Sequence, residues 1–105
     1  MQIERSLVLE ISRHEVPVGR PITVRVRDKG NNPIEGALVK AGSKRKRTDG
    51  RGRCEIAFRS PGFWKLVATK SSTERVRYRS TSTLVRAIPR STTDRRSRRV
   101  GPPTR

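Results

Sequence analysis

The sequence predicts an all-β sandwich of about seven short strands, and three observations carry that expectation. Apolar residues alternate with period two in several runs, most strictly in "ITVRVRD", where Ile22, Val24 and Val26 share one parity and Thr23, Arg25 and Arg27 the other. Clusters of Gly, Pro, Asn and Asp separate those runs at intervals of roughly eight to twelve residues. No stretch of the 105 residues repeats its apolar positions at helical spacing. A chain of this length suits one domain with a modest core.

The elements follow in order. Ile3, Arg5, Leu7, Leu9 and Ile11 have one parity, so residues 3–11 read as a first strand with Arg5 at its frayed end. "HEVPVGRP" reads as a connection, because two prolines and a glycine work against a strand ladder. After "ITVRVRD", "DKGNNP" predicts a tight reversal in which Gly30, Asn31 and Asn32 all tolerate positive φ. A third strand is expected around Ala37 to Ala41, and "SKRKR" is a fourth, joined through the turn "TDGRG" to "RCEIAF" as a hairpin. "RSPG" then turns the chain into "FWKLVATK", with Trp64, Leu66 and Ala68 inward and Phe63, Lys65 and Val67 outward. "RVRYRSTSTLVRAI" reads as one long, bulged final strand: Val76 and Tyr78 keep one parity, Val85 and Ala87 the other.

The charge is large and uneven. Twenty-six Lys and Arg against nine Asp and Glu give a net charge of +17. Residues 1–39 hold six basic and five acidic residues, net +1, and residues 40–105 hold twenty and four, net +16. Such an imbalance favours a polyanionic partner that meets the second part of the chain. Twenty of the basic residues are Arg, the side chain best suited to bidentate phosphate contact.

"SKRKR" has no apolar face at either parity, so it predicts an edge strand or an overhanging arm, where charge also discourages edge-to-edge pairing. With Lys40, Arg51 and Arg53, the residues Lys44, Arg45, Lys46 and Arg47 make a basic hairpin lobe, anchored by Cys54, Ile56 and Phe58 in the core. Arg75, Arg77 and Arg79 are expected to continue the basic face. From residue 89 the composition changes: "RSTTDRRSRRVGPPTR" contains one aliphatic residue and six arginines, Arg90, Arg95, Arg96, Arg98, Arg99 and Arg105. That is too little apolar surface to offset the entropy of ordering it. The chain therefore divides into a folded body, 1–88, and an extended basic arm, 89–105. These sixteen basic residues are the candidate nucleic-acid contacts.

Other functions find little support. His14 is the sole histidine and Cys54 the sole cysteine, so zinc spacing and an internal disulfide are both excluded, and Cys54 falls on an inward parity. No carboxylates pair with a nucleophile in a pattern suited to acid–base work, which predicts a non-enzyme without cofactor, metal or small-molecule substrate. "MQIERSLVLEISR" has charge inside its apolar run and no cleavage-like site, and no run approaches the ~20 apolar residues that span a bilayer. A cytoplasmic protein with no membrane partner is expected. Phe58, Trp64 and Tyr78 fit core positions and Phe63 is the one ring placed to be exposed, which points to backbone contact more than to base stacking.

The segments "PVGRPITVRVRDKGNNPIEGALVKAG", "RTDGRGRCEIAF" and "SPGFWKLVATK", from about Val16 to Ala68, resemble the carboxypeptidase-regulatory-like and bacterial immunoglobulin-like domains. The resemblance implies an immunoglobulin-like, transthyretin-like sandwich. In it Gly36 and Ala37 serve close packing, Asp49 and Gly52 a hairpin, Gly62 a turn, and Trp64 an inward aromatic position. Members of those families are mostly modules of exported, multidomain proteins, so an extracellular adhesion module is one alternative. The charge favours another reading: a structural RNA-binding protein, ribosomal or ribosome-associated, that meets rRNA phosphates and neighbouring ribosomal proteins through the hairpin and the arm. A virion or assembly protein whose basic arm faces a packaged genome is the further alternative.

Overall fold

The computed structural model describes residues 3–90, in which every regular element is a strand. Nine strands occur among the described residues: β1 (Ile3–Ile11), β2 (Glu15–Pro17), β3 (Ile22–Asp28), β4 (Leu38–Ala41), β5 (Lys44–Arg47), β6 (Arg53–Ile56), β7 (Gly62–Thr69), β8 (Val76–Arg79) and β9 (Thr81–Ile88). They form a four-stranded sheet in the order β6-β3-β1-β8 and a five-stranded sheet in the order β2-β9-β7-β4-β5. No helix among these residues is long and apolar enough to cross a membrane.

One apolar core joins the two sheets. Leu7, Val24, Val26 and Ile56 enter it from the four-stranded sheet, and Val39, Ala41, Leu66, Ala68, Val85 and Ala87 from the five-stranded sheet. The alternation read in β3 and β7 is therefore the alternation of burial, whereas in β1 Leu7 is buried, Leu9 and Ile11 are half-buried, and Ile3 and Arg5 are exposed. Phe58, 1% exposed, closes one end of this core against Trp64, with ring centroids 5.1 Å apart. Trp64 in turn donates its indole N–H to the Ser60 carbonyl at 3.0 Å, so its polar atom is satisfied.

Three connections differ from the sequence expectation. First, "HEVPVGRP" contains a strand. β2 pairs in parallel with β9, Val16 opposite Ala87, and Val16 is fully buried. Pro17 is tolerated because β2 is an edge strand; the flanking residues supply the donors and acceptors, Arg86 N–H to the His14 carbonyl at 2.8 Å and Val18 N–H to the Ile88 carbonyl at 2.9 Å. Second, the parity change in the last segment is not a bulge. The chain leaves the four-stranded sheet after β8 and enters the other at β9, so Val76 and Tyr78 face the core from one side, Val85 and Ala87 from the other. These two differences raise the strand count from about seven to nine.

Third, β5 and β6 do not form a hairpin. β5 pairs with β4, Lys40 opposite Arg45, across a two-residue turn, with Gly42 at φ 60 where a type II′ turn places glycine. β6 pairs with β3 in the other sheet. "TDGRG" is thus a crossover between sheets. Thr48 fastens its entry, its hydroxyl donating to the Ile34 carbonyl at 2.6 Å and accepting from Ala37 N–H at 2.9 Å. Asp49 shapes the turn by accepting from the N–H groups of Arg51 at 2.8 Å and Arg53 at 3.0 Å.

A second aspartate holds the reversal after β3. Asp28, 4% exposed, accepts from Asn32 N–H at 2.9 Å and from the Arg5 guanidinium at 3.0 Å, while Asn31 takes the left-handed conformation at φ 68. The Asn32 N–H is the largest influence holding the Asp28 carboxyl below the ordinary aspartate value, against the opposing effect of burial. The Arg53 and Arg51 N–H groups do the same for Asp49. Both groups bind protons less readily folded than unfolded. The stability they confer is complete above a pH of about 4 and is lost as pH falls through their lowered folded values. Thermal melts at stepped pH should show the melting temperature declining below about pH 4, with a shallower decline in Asp28→Asn. An equally steep acid decline in that variant and in Asp49→Asn would contradict this assignment.

Candidate nucleic-acid interface

The two sheets turn different outer faces to solvent. Register places Glu4, Ser6, Val8 and Glu10 of β1, Arg25 and Arg27 of β3, Arg53 and Glu55 of β6, and Arg77 and Arg79 of β8 on the outside of the four-stranded sheet. Its charges are interleaved. Glu10 accepts from Arg25 at 3.2 Å and forms an ion pair with Arg27, also at 3.2 Å, and Glu4 stands 4.0 Å from Arg79. Exposed pairs of this kind add little stability, but they cancel field at the surface.

The outside of the five-stranded sheet is different. β4, β5, β7 and β9 contain no acidic residue. Their outward positions carry Leu38 and Lys40, Arg45 and Arg47, Phe63, Lys65 and Val67, and Ser82, Leu84 and Arg86. Glu15, on the edge strand β2, is the acidic residue of this face, opposite Arg86 and 3.4 Å from it. Register also fixes how the cations follow one another. Arg45 is directly opposite Lys40; Lys40 is opposite Val67 and so diagonal to Lys65; Lys65 is opposite Leu84 and so diagonal to Arg86. Diagonal neighbours on one face are roughly 7–8 Å apart. The cations therefore form a slanting trail across four strands.

Phe63 sits at the end of that trail, opposite Arg86 and 75% exposed, with the Arg86 guanidinium carbon 6.0 Å from its ring centroid. Leu84, 58% exposed, is its diagonal neighbour. Leaving a phenylalanine in water forgoes roughly 1.5–3 kcal/mol of burial. Among the described residues, an exposed aromatic beside a cation is a feature of this face alone.

The structure separates the sixteen sequence candidates. Lys40, Arg45 and Arg47 share the five-stranded face. Lys44 and Lys46 lie on the inward parity of β5, at the open edge between the sheets; Lys44 donates its ammonium to the Ala57 carbonyl, and Lys46 lies close enough to Cys54 to favour its thiolate. Burial is nevertheless the dominant influence on Cys54 and pushes its thiol up, as suits a packing residue. Arg51 sits in the crossover turn, and Arg75 in the connection before β8, where its carbonyl accepts from Ile3 N–H at 2.7 Å. Arg53, Arg77 and Arg79 lie on the opposite face, so the expectation that Arg75, Arg77 and Arg79 extend the surface of "SKRKR" is corrected: the chain has changed sheets before it reaches them. Arg90 is exposed beside Arg20, near Gly19; Arg95, Arg96, Arg98, Arg99 and Arg105 lie outside the described residues.

Sequence reasoning left Lys65 and Arg86 out of the site. Their signal was present in the parity opposite to Leu66 and Val85, which carries Phe63, Lys65, Leu84 and Arg86 on two neighbouring strands. Among the described residues no group of three or more His, Cys, Asp or Glu side chains is placed to hold a metal ion. No family model, curated protein or solved structure matches the chain.

Proposed function

We propose that this is a non-enzymatic RNA-binding structural protein that meets the phosphate backbone with the outer face of its five-stranded sheet, as a component of a ribonucleoprotein, the ribosome first among them. One observation carries the reading: of two outer faces built by the same chain, one pairs Arg25, Arg27 and Arg79 with glutamates, and the other presents the Arg45, Lys40, Lys65 and Arg86 trail on four strands without an acidic residue, with Glu15 of the β2 edge meeting Arg86 alone. Cations at steps of several ångströms on a rigid sheet suit a repeating anion. The Arg-rich composition of residues 90–105 adds to the same polyanion preference. An immunoglobulin-like identity for the body belongs to this proposal. It is supported by the two-sheet core and by the positive φ values at Gly36, Gly52 and Gly62, positions that the resembling motifs reserve for glycine.

Backbone binding releases counterions, with a log–log salt slope of about −0.7 per phosphate for single strands and −0.9 for duplexes. Four trail cations therefore predict a slope of about −3 or steeper in a titration of RNA affinity against salt. Sedimentation of a native lysate should place the protein with ribosomal subunits. Affinity indifferent to salt between about 50 and 500 mM would overturn the mechanism, since tenfold more salt should cost it about a thousandfold.

A further inference from the structure

We infer that Phe63 is a base-stacking platform and that the five-stranded face takes single-stranded RNA in preference to duplex, an inference that rests on the RNA-binding reading above. Three observations combine. The ring is 75% exposed on the outer face of an interior strand, so the core does not use it. Arg86, opposite it, lies 6.0 Å from the ring centroid, so the guanidinium and the phenyl together offer two planar surfaces to a base. The cation trail arrives at this place: Lys65 is the next outward residue along β7 from Phe63 and the diagonal neighbour of Arg86.

A strand whose phosphates follow Arg45, Lys40, Lys65 and Arg86 would bring a nucleotide's base over Phe63. Only an unpaired base can turn its face to the ring; in a duplex both faces are covered by neighbouring pairs. The face is too basic and its apolar area too small for a buried protein interface: besides Phe63 and Leu84, the outward residues of β4, β5, β7 and β9 are cations, half-buried aliphatics and small polar groups. Stacking is indifferent to base identity, so sequence preference should be weak.

The test is the affinity of the full chain, by fluorescence anisotropy, for a twelve-nucleotide oligouridine and for an RNA duplex of equal length. Phe63→Ala should weaken the oligouridine about tenfold or more and leave the duplex within about twofold, while Phe63→Trp retains single-strand affinity. Lys65→Glu should weaken both RNAs. The exposure of Phe63 makes the alanine variant structurally mild, and its thermal melt should match the parent. Equal affinity of parent and Phe63→Ala for oligouridine would overturn the stacking site while leaving the backbone reading intact. Failure of the parent to bind either RNA would overturn both, and so would tighter binding to vesicles of anionic phospholipid than to oligouridine.

Discussion

Gly52→Ala should destabilise the fold by about 3 kcal/mol or more, among the largest effects expected of any single methyl added to this chain. Gly52 is buried at the exit of the crossover, at φ 75, and two costs act there together. The left-handed conformation costs an L-residue about 1–2 kcal/mol. A Cβ would also stand 2.4 Å from the Val26 carbonyl oxygen, 3.1 Å from the Ile34 nitrogen and 3.2 Å from the Pro33 Cβ. The first two are backbone atoms and cannot swing aside. Nor can the strand shift freely, because Val26 N–H donates to the Gly52 carbonyl at 2.7 Å and Ile34 N–H to the Val26 carbonyl at 3.0 Å. At roughly 4–8 °C per kcal/mol for a domain of this size, the melting temperature should fall by at least about 12 °C. Gly50, two residues earlier in the same turn, has no positive φ and nothing within 4 Å of an added Cβ. Gly50→Ala should therefore change stability by less than about 1 kcal/mol in either direction. Urea denaturation of the two variants measures the contrast, and equal midpoints would show that the close approach at Gly52 does not bear on stability.

That turn also marks where sequence reading succeeds and where it stops. Alternation identified the inward residues of β3 and β7 because burial on one sheet face leaves a period-two record in the chain itself. The record is local. It says that Cys54, Ile56 and Phe58 point inward but not across which sheet, and "TDGRG" bends the chain equally well into a hairpin or a crossover. A clue lay in "SKRKR", whose lack of an apolar parity required an edge; β5 is the edge of its sheet, but the neighbour it needed was β4, through Gly42 and Ser43. The same limit turned the passage from β8 to β9 into a supposed bulge, since a change of sheet and a bulge both invert parity. Val16, alone between a carboxylate and a proline, was too short a signal to declare β2. At the candidate site, residue types were legible and their grouping was not. Lys40 and Lys65 come together through the β4–β7 register, whereas Arg53 and Arg77, equally basic, end on the other side of the core.

This grouping yields a second large effect, on binding. Lys40→Glu with Arg45→Glu should weaken RNA affinity about a hundredfold near physiological salt, whereas Arg53→Glu with Arg77→Glu should weaken it only a few-fold. Both double variants remove four units of charge, taking the chain from +17 to +13, so a mechanism driven by net charge alone predicts equal losses. Distance and screening decide otherwise. At about 0.15 M salt the screening length is ~8 Å, and packed sheets are ~10 Å apart before the outward side chains add to the separation. A phosphate on the five-stranded face is thus more than one screening length from Arg53 and Arg77 and in contact with Lys40 and Arg45. Two lost charge-assisted contacts at roughly 1.5 kcal/mol each give the hundredfold figure. The salt slope should also shrink by about two in the first variant and hardly at all in the second. Both variants should fold, because all four positions are exposed strand residues on outer sheet faces. Lowering the salt to about 0.01 M lengthens screening to ~30 Å and should narrow the difference between the two variants. Equal losses at 0.15 M would show that the five-stranded face has no special part in binding; a gap that opens at high salt and narrows at low salt is the signature of local contact on that face.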